Sequence, residues 1–152
     1  MDIRLAVKED IPDLIRIRMQ FLKEKAPDGH GANGSKEDVL AAALETYYCK
    51  HLTEGHPTGG ELIMWVAVDA GRIVATGGIC FNHYPPDFEV VTEIRARLIN
   101  LFALPGYKKR GLEERLFQKL LDEAEQRKAG SISLHDSEAG MAGNKNFVLY
   151  RK

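Results

Sequence analysis

The sequence has no apolar run near the ~20 residues that a membrane-spanning helix requires. Its longest, 62–68, has the length of a strand. It has only two cysteines, Cys49 and Cys80, and neither lies at ligand spacing from a second cysteine or a histidine. That excludes a disulfide framework, gives no metal site, and fits a reducing compartment. An excess of one charge is also missing. The formal net charge of −1 argues against a nucleic-acid binder and against a protein of anionic membrane surfaces. The first residues, Met1-Asp2-Ile3-Arg4, lack the apolar stretch of a secretory leader. The expected location is the cytoplasm. No internal repeat or low-complexity segment interrupts the chain, and its 152 residues suit one domain, 1–152.

What is present is a sequence of readable elements. Ile3, Leu5 and Val7 alternate with polar residues, the period of a half-buried strand. Asp10 is placed as an N-cap, with Pro12 in the first turn and Asp13 closing a capping box. Ile11, Leu14, Ile15 and Leu22 then mark one face of a helix over 10–25. Arg18 interrupts that face and is either a snorkelling arginine or a substrate contact. A Gly-rich link over 27–34 leads to a second helix over 35–54. Its apolar face is expected at Val39, Leu40, Ala43, Leu44 and Tyr47.

The segments 62–68 and 73–81 are apolar, and Asp69-Ala70-Gly71-Arg72 between them is a tight-turn sequence, so they predict an antiparallel hairpin. Trp65 and Cys80 within it are expected in the core. After a Pro-containing connection comes a strand at 96–104, a helix at about 111–128 with Leu112, Leu116, Leu120, Leu121 and Ala124 on one face, and a strand at 131–135. This is a βαβ crossover, which requires near-neighbouring parallel strands. A last strand is expected at 147–150. The order β-α-α-β-β-β-α-β-(α)-β predicts an α/β protein with a mixed (α+β) sheet.

The most informative stretch joins the strand at 96–104 to the following helix: Leu104-Pro105-Gly106-Tyr107-Lys108-Lys109-Arg110-Gly111-Leu112-Glu113-Glu114. The N–H groups that open a helix have no intrahelical acceptor, and the helix dipole adds positive character there. Lys108, Lys109 and Arg110 add full charges. The whole is suited to an anion such as a diphosphate.

This stretch resembles the coenzyme A signature of the GNAT acyltransferases, Arg/Gln-x-x-Gly-x-Gly/Ala, after a strand and a Pro-x-Tyr turn. Lys108 stands at the Arg/Gln position, Gly111 matches, and Glu113 stands where the family has a second small residue. In outline the resemblance spans nearly the whole chain. It implies the GNAT fold and acetyl transfer from acetyl-CoA to a primary amine of a small molecule or protein. It also implies a donor site drawn from Phe102, Ala103, Leu104, Lys108, Lys109, Arg110, Gly111, Leu112, Glu113 and Glu114. A backbone N–H near Phe102 or Ala103 would polarise the thioester carbonyl. The amine must lose a proton; among Glu93, Asp136, Glu138, His83 and His135, the expected catalytic residues are Glu93 and His135. The family's tyrosine near the thioester sulfur has no counterpart in 140–147. That absence and Glu113 support an alternative, a GNAT-fold protein that binds a ligand, coenzyme A or a partner without acyl transfer. Relatives that pair through strand edges make a homodimer a further implication.

Overall fold

The structure, a computed structural model, describes residues 1–25, 34–52, 62–108, 110–134 and 145–148. Six strands form one sheet in sequence order: β1 (Asp2–Leu5), β2 (Leu62–Asp69), β3 (Arg72–His83), β4 (Ile94–Ala103), β5 (Ser131–Leu134) and β6 (Lys145–Val148). All neighbours are antiparallel except β4 and β5, which are parallel and joined through α3 (Leu112–Gln126). The expected crossover is therefore between adjacent strands. Helices α1 (Ile11–Lys25) and α2 (Gly34–His51) come between β1 and β2.

The β2–β3 connection is a two-residue turn in which Ala70 and Gly71 both have positive φ, 51° and 79°. That backbone matches the twist of the flanking strands. β2 is buried on both faces, so its run is continuously apolar. Leu62, Met64 and Val66 pack with α1 and α2, through Leu14, Ile17, Phe21 and Tyr48. On the opposite face Ile63 and Ala67 belong to the clusters that bury Leu112, Leu116, Leu120 and Ala124 of α3. The result is a three-layer arrangement.

Several boundaries and faces differ from expectation. Val7 lies beyond β1, and a turn of 3-10 helix at Lys8–Asp10 precedes α1. Asp10 does not cap α1. Its carboxylate accepts the Val7 N–H at 2.8 Å and binds the Arg4 guanidinium at 2.7 and 3.0 Å, while Asp13 pairs with Arg16 instead of closing a box. Ile17 and Phe21, absent from the expected face of α1, are buried. On α2 the inward side is Leu40, Leu44 and Tyr48, at helical spacing of four. Leu40 and Leu44 were expected there; Val39 and Ala43 instead face solvent, and the buried Tyr48 lies beyond the expected face. β6 begins at Lys145, two residues earlier than expected.

Candidate functional site

β4 carries the irregularity around which the site is built. Gly78 pairs with Ile99 and Thr76 with Phe102, so Asn100 and Leu101 together face the single residue Gly77. This is a β-bulge. Asn100 takes up the extra residue at φ 54°, a left-handed conformation that asparagine tolerates better than a bulky residue. The bulge interrupts side-chain alternation, so Ile99 and Asn100, consecutive in sequence, both turn toward α1 and α2.

Asn100 is buried and fully engaged. Its side-chain oxygen accepts from the Arg18 guanidinium. Its amide nitrogen donates to the Tyr48 hydroxyl at 2.9 Å, and its carbonyl accepts from Thr76 Oγ1 at 2.7 Å. A strand residue in a strained conformation is thus held from α1, α2 and β3 at once. Beside it opens a cavity of about 330 Å³. Leu44, Tyr47 and Ile99 give it apolar walls; Arg18 from α1 and Arg97 from β4 bring two cations to it. Cys80 also lines it, half-buried, with its sulfur 3.6 Å from the Tyr47 hydroxyl. Burial, foremost, pushes the Tyr47 phenol well above its ordinary pKa. It is therefore neutral at physiological pH.

The other flank of β4 faces β5. Their pairing runs from Arg95–Ser131 to Leu98–Leu134; among the described residues nothing pairs with β4 beyond Leu98 on that side. The Leu104 N–H donates to the Val74 carbonyl of β3 at 2.9 Å. By antiparallel alternation, Leu104 and Phe102 direct their backbone groups to β3, and Ala103 and Leu101 direct theirs to the β5 side. Ala103 itself is fully buried against α3, while Ile99 and Leu101 are half-buried. Among the described residues, the stretch of this edge without a β5 partner runs from Ile99 through the bulge to Ala103.

The turn after β4 is a 3-10 turn, Pro105–Tyr107, pinned by a 2.7 Å hydrogen bond from the Tyr107 hydroxyl to Asp69. That bond raises the tyrosine pKa. Gly111 caps α3 with φ 77° and no side-chain cap; a Cβ built there would meet nothing closer than Glu114 Oε2 at 3.9 Å. Among the described residues nothing crowds Gly111 itself, as a phosphate approaching its backbone needs. Arg110 is exposed, with its guanidinium 4.7 Å from the centre of the Tyr107 ring. Lys108 points elsewhere. It pairs with Glu24 of α1 at 3.0 Å and sits 5.0 Å from the Phe102 ring centre. Glu113 is half-buried and Glu114 exposed, both in the first turn of α3.

The expected site residues are only partly brought together. Residues 102–104 and 108–114 converge at the β4–α3 junction, though Lys109 lies outside the described residues. Glu93 precedes β4 at its far end, exposed, and bonded to His83 at 2.8 Å. At about 3.3 Å per residue it stands roughly 20 Å from Asn100. It does not join the cavity. His135, Asp136, Glu138 and 140–144 lie outside the described residues. Arg18 is half-buried, lines the cavity and donates to Asn100.

The family model of the acetyltransferase (GNAT) family matches residues 22–147, most of the chain. The chain belongs to the GNAT family. Solved GNAT structures share its fold. A predicted acetyltransferase from Clostridium acetobutylicum, solved with acetyl-CoA, is 24% identical, with 91% of this chain and 82% of that one covered at a TM-score of 0.71. A GCN5-related N-acetyltransferase from Ralstonia eutropha is 21% identical, with 91% and 85% covered, also at 0.71. An aminoglycoside 6'-N-acetyltransferase from Acinetobacter haemolyticus is 12% identical, with 100% and 98% covered, at 0.62. At these identities the likeness shows the fold alone. No curated protein matches the sequence. Among the described residues no helix is long and apolar enough to cross a membrane, and no three His, Cys, Asp or Glu side chains gather as metal ligands. For a GNAT protein the turn at Gly111, the exposed Arg110 and the flank of the bulge that no described residue pairs fit a coenzyme A thioester; Lys108, held by Glu24, would join only if that pair opened.

Proposed function

We propose that this protein transfers an acetyl group from acetyl-CoA to a primary amine. The observation that carries this reading is the bulge at Asn100, which sets a backbone edge on one flank of β4 and the cavity beneath α1 and α2 on the other. The donor end would be held by Arg110 and by the N–H groups at 112–114, which have no acceptor within α3. Acetyl-CoA supplies the acetyl group as a thioester; transfer forms an N–C bond, breaks the C–S bond, and moves one proton from the amine nitrogen to the released thiolate. The Leu101 N–H, directed to the β5 side, is the backbone donor suited to a carbonyl at the bulge. Asn100 holds that backbone in place through its three partners. Tyr47 offers a neutral hydroxyl to a guest in the cavity.

Calorimetric titration with acetyl-CoA, beside ADP and free coenzyme A, tests the reading, together with thiol release on adding amines. Micromolar binding and amine-dependent release are expected. No binding at millimolar acetyl-CoA would overturn it and favour the alternative of a ligand-binding GNAT protein without acyl transfer. The Lys108–Glu24 pair and the two carboxylates of the α3 first turn are the observations on that side.

A further inference from the structure

The cavity beside Asn100 has a chemical character of its own. Two guanidinium groups, Arg18 and Arg97, line it, and none of its described lining residues is acidic. Arg18 reaches it from α1, across the Asn100 side chain that it binds. Arg97 reaches it from β4, opposite Cys80, and is exposed with no ion pair among the described residues. The remaining walls, Leu44, Tyr47 and Ile99, are apolar or aromatic. A volume of about 330 Å³ is at the small end for ligand pockets.

These features sort amines by class. A polyamine or other polycation would bring like charge to two arginines, with no acidic group among the described lining residues to receive it. A carboxylate matches a guanidinium in charge and geometry. Nearby cations also favour the neutral form of an amine, the form that attacks a thioester. Among the described lining residues there is no Asp, Glu or His to remove the proton, so that electrostatic help has a place.

Resting on the acetyltransferase reading, we propose that the acceptor is a small amino carboxylic acid with an apolar side chain, its carboxylate held by Arg97 and Arg18. The body of the acceptor lies against Leu44, Tyr47 and Ile99, and its amine points along β4 to the bulge. Arg97 sets specificity; Arg18 does so while also positioning Asn100.

Binding and turnover separate this proposal from the reading beneath it. N-acetyl-leucine and N-acetyl-leucinamide, which differ only in the carboxylate, are titrated into protein with coenzyme A present. The carboxylate is expected to bind at least roughly tenfold tighter, and Arg97→Glu to abolish the difference. Arg97→Lys should retain part of it. In turnover, leucine should exceed leucinamide, 3-methylbutylamine and spermidine in kcat/KM. Equal binding of the two ligands, no binding of the carboxylate, or a preference unchanged in Arg97→Glu would overturn the proposal even if acetyl-CoA binds and other amines are acetylated. Should Arg97→Glu not fold, Arg97→Gln gives the same comparison. Failure of acetyl-CoA itself to bind, measured separately, would count against the acetyltransferase reading, while the carboxylate-to-amide comparison would still decide the class of ligand.

Discussion

The two faces of the sheet are built on different principles. Against α3, β2 to β5 present Ile63, Ile79, Leu98 and Ile132, and the helix answers with leucines and an alanine at regular spacing. Against α1 and α2 the core is apolar near β1 and β2, where Leu14, Ile17, Leu62 and Met64 cluster. Toward β4 it gives way to Arg18, Asn100, Tyr48 and a cavity. One face is filled for stability; the other gives up packing for polar groups held in place by one another. Buried polar groups keep their place only when satisfied, which is why Asn100 is bonded from three elements.

The largest expected effect is on the filled face. Leu116→Ala should cost about 2–5 kcal/mol, read as a lower urea midpoint, because Leu116 is fully buried under α3. Activity per folded molecule should change little. On the other face, Asn100→Leu should cost about 2–3 kcal/mol, from a positive φ and from the lost partners of Tyr48 and Arg18. Acetyl transfer should fall much further than stability does. Asn100→Gly keeps the backbone and removes only the side chain, so a comparison of the two in kcat/KM and in thermal melting separates strain from the polar network.

The start of α1 sharpens the contrast further. Asp10 ties Val7 and Arg4 together there, whereas α3 begins at an uncapped glycine. The Arg4 guanidinium, first among the causes, holds the Asp10 carboxyl below its usual range. A carboxyl lowered in the folded state stabilises above its unfolded pKa and loses that contribution as pH falls through the folded value. Asp10→Asn should therefore cost about 1 kcal/mol at neutral pH, and its melting curve should merge with that of the parent in acid. The smallest effect belongs to Lys108→Ala. An exposed ion pair with Glu24 contributes less than about 1 kcal/mol, and acetyl-CoA titration should show little change. Arg110→Ala should weaken that binding and flatten its salt dependence.

Much of the fold was legible because apolar periodicity and turn chemistry are local. The hairpin at 62–83, the leucine face of α3 and the parallel crossover all follow from spacing that any short window contains. The face of α2 was legible in part: Leu40, Leu44 and Tyr47 were expected and turn toward the sheet or the cavity, while Val39 and Ala43 are exposed and the buried Tyr48 was missed, because only docking on the sheet sets how far round the helix the contact reaches. Of the site, the β4–α3 turn was readable from Pro105, Tyr107 and Gly111, whose backbone demands are strong and local. The cavity was not: Arg18 and Tyr48 are far in sequence from each other and from Arg97 and Asn100. One signal did exist, an asparagine set between Ile99 and Leu101 in an apolar strand, a residue type that tolerates positive φ.

The sequence by itself determined the family, the order of elements and the glycine turn before α3, since each is encoded within a few neighbouring residues. Tertiary structure alone decided that Lys108 would be held by Glu24, that Glu93 would stand at the far end of β4, and that Cys80 would line a cavity. It also brought two cations to one cavity, because Arg18 and Arg97 meet only after α1 has packed across the bulge in β4.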